Sequence, residues 1–230
     1  MFKYLDAQKI VETSIMLRKQ IEEQFSNSGL KNVTEELVDI AVESIKSSKK
    51  TNNPILWVRI TSYFLILNLF VVLIGILFRL DIHLLIENFY HSSYDLSNFL
   101  QGTESGLSSI IIIATGIFFL TTVETRIKRK KVISLINELR AIAHVIDAHH
   151  LTKDPFQLES YGMSQIEMFH YLNSCSNMLS ILGKIAALHV QKFRDAETLN
   201  AVDDIQDLIN GLSNKIWHKI ALLELNVKRI

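Results

Sequence analysis

The chain is poor in the residues that interrupt or cross-link helices. Its 230 residues include two prolines, eight glycines and one cysteine. Few prolines and glycines favour long helices and argue against a sandwich or a barrel, since both need many turns. The lone Cys175 excludes an internal disulfide and indicates a reducing compartment. The 24 basic and 24 acidic residues cancel, so net charge does not point to nucleic acid.

The sequence also lacks the short motifs of common enzyme classes. No glycine-rich phosphate loop, dinucleotide-binding fingerprint or nucleophile elbow occurs. The first fifty residues are charged and periodic, without the apolar core of a cleavable signal peptide. We therefore predict a protein that is not an enzyme and has no catalytic residue, cofactor or metal. Direct binding of nucleic acid is not expected either.

Two uncharged runs dominate the middle of the chain, at 60–78 and 106–123. Each approaches the roughly 20 residues that a helix needs to cross a bilayer. Basic residues precede the first run and follow the second, whereas 80–105 contains no Lys or Arg. The positive-inside rule then places both termini in the cytoplasm. We predict a multi-pass membrane protein; the alternative is two buried helices of a soluble protein.

The predicted fold is all-α, a two-helix transmembrane hairpin with a helical cytoplasmic arm and a helical cytoplasmic bundle. The expected segments are an amphipathic arm at 1–53, a first membrane helix at 54–80, an external loop at 81–105, a second membrane helix at 106–124 and a cytoplasmic helical domain at 125–230. Periodicity continues from the second run towards Pro155, which predicts one helix extending well beyond the membrane.

Capping signals divide the remaining helices. SNSG at 26–29 predicts a stop with Gly29 as left-handed cap, and NVTE predicts a capping box with Asn32 as cap. Asp154 followed by Pro155 predicts another helix start, as does the SQIE box at 164–167. Two long helices should follow, the last at about 198–228.

Small and polar residues recur every seven positions within the uncharged runs. The predicted polar seam consists of Thr61, Asn68, Gly75, Ser108, Thr115 and Thr122. Seven residues make two helical turns, so each set lies along one side of its helix. Small residues allow close helix approach, and polar ones hydrogen-bond across a contact in lipid. The seam either joins the two helices of one hairpin, or it meets between chains or lines a polar path in a homo-oligomer.

A basic cluster follows the second run directly, formed by Arg126, Lys128, Arg129, Lys130 and Lys131. Basic residues beside a membrane helix fix its topology and contact anionic headgroups. The lipid bilayer is therefore the first expected partner.

Histidines crowd the end of the predicted long helix, where His144, Asp147, His149 and His150 lie within seven positions. Zinc needs three or four converging ligands, and the pairing of two histidines at i and i+4 is missing here. A histidine near a helix C-terminus is also favoured by the helix dipole. The open interpretations are a capping or core role, a metal site, and a pH-responsive or catalytic role.

The overall plan of arm, two-helix hairpin and helical domain resembles the two-transmembrane effectors of bacterial anti-phage systems, which accompany retrons and cyclic-oligonucleotide operons. The resemblance implies a toxin of abortive infection that oligomerises and permeabilises the inner membrane when a protein or ribonucleoprotein partner releases it. A membrane-anchored scaffold or sensor, whose helical bundle docks a partner protein, is the alternative. A membrane enzyme that uses the histidines is the third hypothesis.

Overall fold

The computed structural model describes residues 5–25, 28–52, 55–79, 96–191, 193 and 195–227. In these ranges the chain forms α1 (Ala7–Gln24), α2 (Gly29–Asn52), α3 (Leu56–Arg79), α4 (Leu96–Leu151), α5 (Leu158–Tyr161), α6 (Gln165–Val190) and α7 (Ala196–Val227). No strand occurs among them, so the all-α prediction is confirmed. The chain divides into unit 1, Met1–Asn53 with Lys128–Ile230, and unit 2, Pro54–Ile127.

The helix signals in the second half of the sequence are mostly confirmed. At the start of α6, Ser164 Oγ accepts a hydrogen bond from the Glu167 amide at 3.2 Å, and the Glu167 carboxylate accepts one from the Ser164 amide at 2.7 Å. This reciprocal pair is the predicted capping box. The helix that was expected to continue to Pro155 runs without a break to Leu151.

Other helix boundaries predicted from capping motifs were wrong. Gly29 is the first residue of α2 and does not have a positive φ, and Asn32 lies inside that helix. Asp154 accepts a hydrogen bond from the Phe156 amide at 3.0 Å, which makes a turn, and α5 begins only at Leu158. These motifs were wrong as helix starts because the same residues also favour turns, and sequence alone does not separate the two.

Unit 1 is built around α6. Fourteen of its 26 residues are buried, and they cover slightly more than half of the circumference of the helix. The remaining side carries exposed residues, among them His170, Asn177, Ser180 and Lys184. An apolar face this wide needs several neighbouring helices to cover it. α1, α2 and α7 all pack against it. The last part of α4 adds a stripe to the same core, formed by Val132, Ile136, Leu139, Ile142, Ala143 and Ile146.

Unit 2 contains α3 and the first part of α4. The Glu124 carboxylate accepts hydrogen bonds from the Arg59 guanidinium at 2.6 Å and from the Ile55 amide at 3.3 Å. A carboxylate at the start of α3 also complements the positive end of that helix. The pKa of Arg59 is raised by this partner. The contact fixes the first turn of α3 relative to α4 within the unit.

The membrane placement predicted from sequence requires a correction. Among the residues that the structure describes, no helix combines the length and the apolar character needed to cross a bilayer. This finding contradicts the expected multi-pass inner-membrane localisation with cytoplasmic termini. The prediction relied on the absence of charged residues. That criterion ignores uncharged polar side chains within the runs, such as Thr61, Asn68 and Thr122.

The expected external loop is also partly helical. Residues 96–105 belong to the first turns of α4. The remainder of that predicted loop, up to residue 95, lies outside the described residues.

A pair of adjacent residues on α4 tests whether its last part belongs to the core. Ile146 is fully buried, whereas Val145 is 43% exposed. Ile146→Ala should lower the free energy of unfolding by about 2–5 kcal/mol, because it removes buried methyl groups and leaves a cavity. Val145→Ala should change it by less than about 0.5 kcal/mol. Urea unfolding of both variants measures the difference, and equal losses would contradict this placement of α4.

Candidate functional site

The C-terminal end of α4 is held by a lysine from a distant helix. Lys219 of α7 donates hydrogen bonds from Nζ to the carbonyl oxygens of His150 at 2.6 Å, Lys153 at 2.8 Å and Leu151 at 3.4 Å. The last carbonyls of a helix lack partners within it, and the helix dipole favours a cation there. Lys219 therefore caps α4 and ties it to α7.

The Lys219 ammonium group is partly buried, and burial disfavours its charged form. Burial lowers the pKa of Lys219, while the carboxylates of Asp154 and Asp147 act in the opposite direction. The three carbonyl oxygens and these carboxylates replace part of the hydration that the ammonium group loses on burial.

The histidines at the end of α4 point in different directions. His144 is exposed, His149 is half-buried and His150 is fully buried. The His149 ring lies so close to α2 that a Cβ atom on Gly29 would come within 2.6 Å of its Cε1 atom. Across the described part of the chain, no three His, Cys, Asp or Glu side chains form a group that could hold a metal ion.

His150 has a buried ring without a hydrogen-bond partner. Its Nδ1 atom lies 3.4 Å from Asp147 Oδ1, but the two groups are not aligned as a hydrogen bond. Burial lowers the pKa of His150, and the nearby Lys219 charge lowers it further; Asp147 opposes both. The imidazole is therefore neutral at physiological pH, and the dipole-capping role expected for a histidine belongs instead to Lys219.

α6 passes beside this cluster with two further titratable groups. The Tyr171 hydroxyl donates a hydrogen bond to the His149 carbonyl at 3.5 Å, and its ring packs edge-on against Phe25 at 5.5 Å between centroids. Burial raises the pKa of the Cys175 thiol to about 12. A thiol that stays protonated at neutral pH is a poor nucleophile, so Cys175 acts as a core residue.

A second buried histidine lies near the end of α6. Both ring nitrogens of His189 lack a hydrogen-bond partner, and only 2% of the residue is exposed. Burial lowers its pKa to about 4. The neutral ring is thus part of the apolar interior, and protonation would place an uncompensated charge there.

The residues of the predicted polar seam turn mainly to their own helices. The Thr61 hydroxyl donates to the Trp57 carbonyl at 2.7 Å, and the Asn68 amide donates to the Phe64 carbonyl at 2.9 Å. Thr122 likewise bonds the carbonyl oxygens of Phe118 and Phe119. Ser108 and Thr115 are exposed, and the side of α3 at Gly75 lies outside the described side chains. A role for this seam between helices stays a prediction.

The basic cluster is divided between different local contacts. The Arg129 guanidinium makes a two-pronged ion pair with Asp195, at 2.7 and 2.9 Å, and contacts Glu197 at 2.6 Å. Arg126 lies over the Phe119 ring at 5.5 Å. Lys130 and Lys131 are exposed, and Lys128 is half-buried. Arg129 therefore links the start of α7 to α4 within unit 1, a role that its position in a charge run did not indicate.

Comparison of the chain with protein-family models, with curated proteins and with solved structures finds no match. The resemblance to two-transmembrane defence effectors thus stays a prediction.

Sequence reasoning missed Lys219, although a signal was present. Lys219 lies three residues after Ile216 and four before Leu223, both of which are buried. Residues three and four apart share one side of a helix, so this spacing places a charge at the border of the apolar stripe. Its partners lie more than sixty residues away, and no pattern in the sequence names them.

Removal of the cap tests its contribution. Lys219→Met keeps most of the apolar stem but leaves the carbonyls at the end of α4 without their donor, and it should cost about 1–3 kcal/mol of stability. Lys215→Met, one turn earlier and exposed, is the matched control and should be near neutral. Chemical denaturation measures both. A similar small effect from the two substitutions would show that the cap contributes little.

Acidification should destabilise the fold through His189. Its folded pKa of about 4 lies below the unfolded value of 6.5, so the unfolded chain binds more protons between these values. The free energy of unfolding is therefore highest above about pH 6.5 and falls as the pH drops. His189 alone should lower it by about 2 kcal/mol at pH 5. In urea unfolding at pH 7.5 and 5, His189→Met should show a smaller loss.

The exposed His218→Gln supplies the control for that comparison, since it should keep the full loss of stability on acidification. An unchanged pH dependence in His189→Met would show that this residue is not the group responsible.

Proposed function

We propose that this protein is a helical scaffold that docks a partner protein through one end of unit 1. This docking end is where α4 ends, α6 begins and α7 ends. Lys219 joins the end of α4 to α7, and the side-chain amide of Gln165 donates to the carbonyl of Leu223. These contacts hold three helix ends together as one structural element.

The observation that carries the proposal is the exposure of large apolar side chains at this end. They are between 39% and 70% exposed, and they are Leu151, Phe156, Ile166, Leu222 and Leu225. Single exposed apolar residues are ordinary, but a group of them at one place is typical of an interaction surface. The contacts of Lys219 and Gln165 already hold the backbone at these helix ends, so less conformational entropy is lost when a partner binds.

The polar contacts of the docking end leave apolar side chains as the main groups for a partner helix. The Ser164 and Glu167 amides are engaged by each other's side chains, and the carbonyls of His150 and Leu151 accept hydrogen bonds from Lys219. These backbone groups are therefore not offered to a partner. Apolar side chains remain, and an amphipathic helix binds such a surface through anchors spaced three and four apart.

The docking function replaces the effector function that the sequence favoured first. Membrane permeabilisation depends on helices that cross the bilayer, and no helix in the described ranges is long and apolar enough to do so. The scaffold alternative retains its physical basis without membrane spans, because it needs only a stable bundle with an exposed apolar surface.

Site-specific photo-crosslinking tests the proposal. A benzophenone amino acid at Ile166, in cells of the source organism, should give one discrete adduct with a different protein. The same group at Asp204, an exposed position in the first third of α7, should not give that adduct. Leu225→Glu should abolish the Ile166 adduct, because a charge within the docking end opposes apolar contact.

Unchanged helicity and thermal unfolding of Leu225→Glu show that its fold is intact. An adduct that survives this substitution, appears equally from Asp204, or consists of two copies of the chain would overturn the docking function.

A further inference from the structure

Exposed apolar residues on α3 follow a heptad pattern. The spacing between them is four, three, four, three and four residues, and they form the α3 seam: Leu56, Ile60, Tyr63, Leu67, Phe70 and Ile74. This alternation is that of the a and d positions of a coiled coil, where each side chain enters a hole on a facing helix. These side chains remain exposed, so no helix in the described part of unit 2 faces them.

The opposite side of α3 is less exposed. Val58 is buried, and Ser62 and Ile66 are half-buried. A second row beside the α3 seam, spaced by seven residues, consists of Trp57, Phe64 and Val71, and these are also exposed. The α3 seam supplies apolar residues at the a and d positions, and the second row adds an apolar flanking position. The combined surface is wide enough to contact more than one helix.

The area of this surface matches what association of two proteins requires. The nine side chains of the two rows are between 42% and 69% exposed. Together they offer on the order of 1,000 Å², against about 800 Å² per partner in a stable interface. A patch of this size also exceeds the few hundred Å² that monomers usually leave in water.

The first part of α4 carries the same spacing. Leu107, Ile111, Ala114 and Phe118 are separated by four, three and four residues, and all are exposed. Both helices of unit 2 thus present a heptad row, which is the composition of one half of a four-helix bundle.

We propose that unit 2 associates with unit 2 of a second copy of this chain, with the α3 seams in contact. The same surface on both subunits makes a closed, isologous interface. The described part of α3 carries no charge between Arg59 and Arg79, and Arg59 is paired with Glu124, so no like charges meet along the seam. The arrangement would complete the bundle that each chain begins.

The apolar seam, not the polar one, carries this contact. Thr61 and Asn68 lie beside the α3 seam, and their side chains already bond the carbonyls of their own helix. They need no partner across the interface. The inference rests on unit 2 alone, so it does not depend on the docking end of unit 1.

Light scattering of the full chain after size-exclusion chromatography tests the inference. The wild type should have a mass of at least twice 26.4 kDa. Leu67→Lys, at the centre of the seam, should weaken association at least 100-fold and give the single-chain mass. Thr61→Lys, exposed but outside the seam, should keep the assembled mass. An assembled Leu67→Lys variant, or a monomeric wild type, would overturn the proposal.

Two controls keep the result interpretable. Thermal unfolding of Leu67→Lys should show that unit 1 remains folded, because Leu67 is 62% exposed in the single chain. An exposed apolar surface can also bind lipid. Flotation with phosphatidylcholine vesicles distinguishes lipid binding from self-association. A monomeric wild type that floats with vesicles, and loses this on Leu67→Lys substitution, would assign the seam to lipid and overturn self-association.

Discussion

The burial of α6 is the constraint on which unit 1 depends. Its buried residues form an apolar face too wide for one neighbouring helix to cover, so several helices have to pack against it. α1, α2 and α7 pack on α6, and the last part of α4 adds to the same core.

The end of α4 shows how the ends of helices in this core are held in place. Lys219 satisfies carbonyl groups that the helix cannot satisfy itself, and the Ser164–Glu167 pair engages two amides at the start of α6. Large apolar side chains are exposed beside these contacts. Unit 2 differs from unit 1, because its apolar residues form heptad-spaced rows that no described helix covers. The two proposed contacts therefore involve different parts of the chain and different partners.

The sequence predicted local features better than distant ones. The all-α class, the uninterrupted helix up to Leu151 and the capping box at Ser164 all follow from periodicity and short motifs, and all are confirmed. The lysine cap, the divergence of the three histidines and the pairing of Arg129 with Asp195 depend on contacts between separate helices. Spacing along one helix showed that His149 and His150 lie on different sides, but not which neighbour each would meet.

The membrane prediction failed for a related reason. Absence of charge was read as suitability for lipid, although a heptad row of apolar residues is also the mark of a helix that packs on another helix. The exposed row from Leu56 to Ile74 has this heptad spacing. Absence of charge is common to both kinds of helix, so it does not separate them.

Native-state hydrogen exchange of the full chain, followed by mass spectrometry, tests the central role of α6 most directly. The amides of the buried part of α6, from Tyr171 to Ala186, should exchange more slowly than those of any other described helix in unit 1, and only through global unfolding. Their free energy of exchange should then equal the free energy of unfolding from urea. Faster exchange in α6 than in α1 or α7 would contradict the account, because α6 could then open while its neighbours stayed folded.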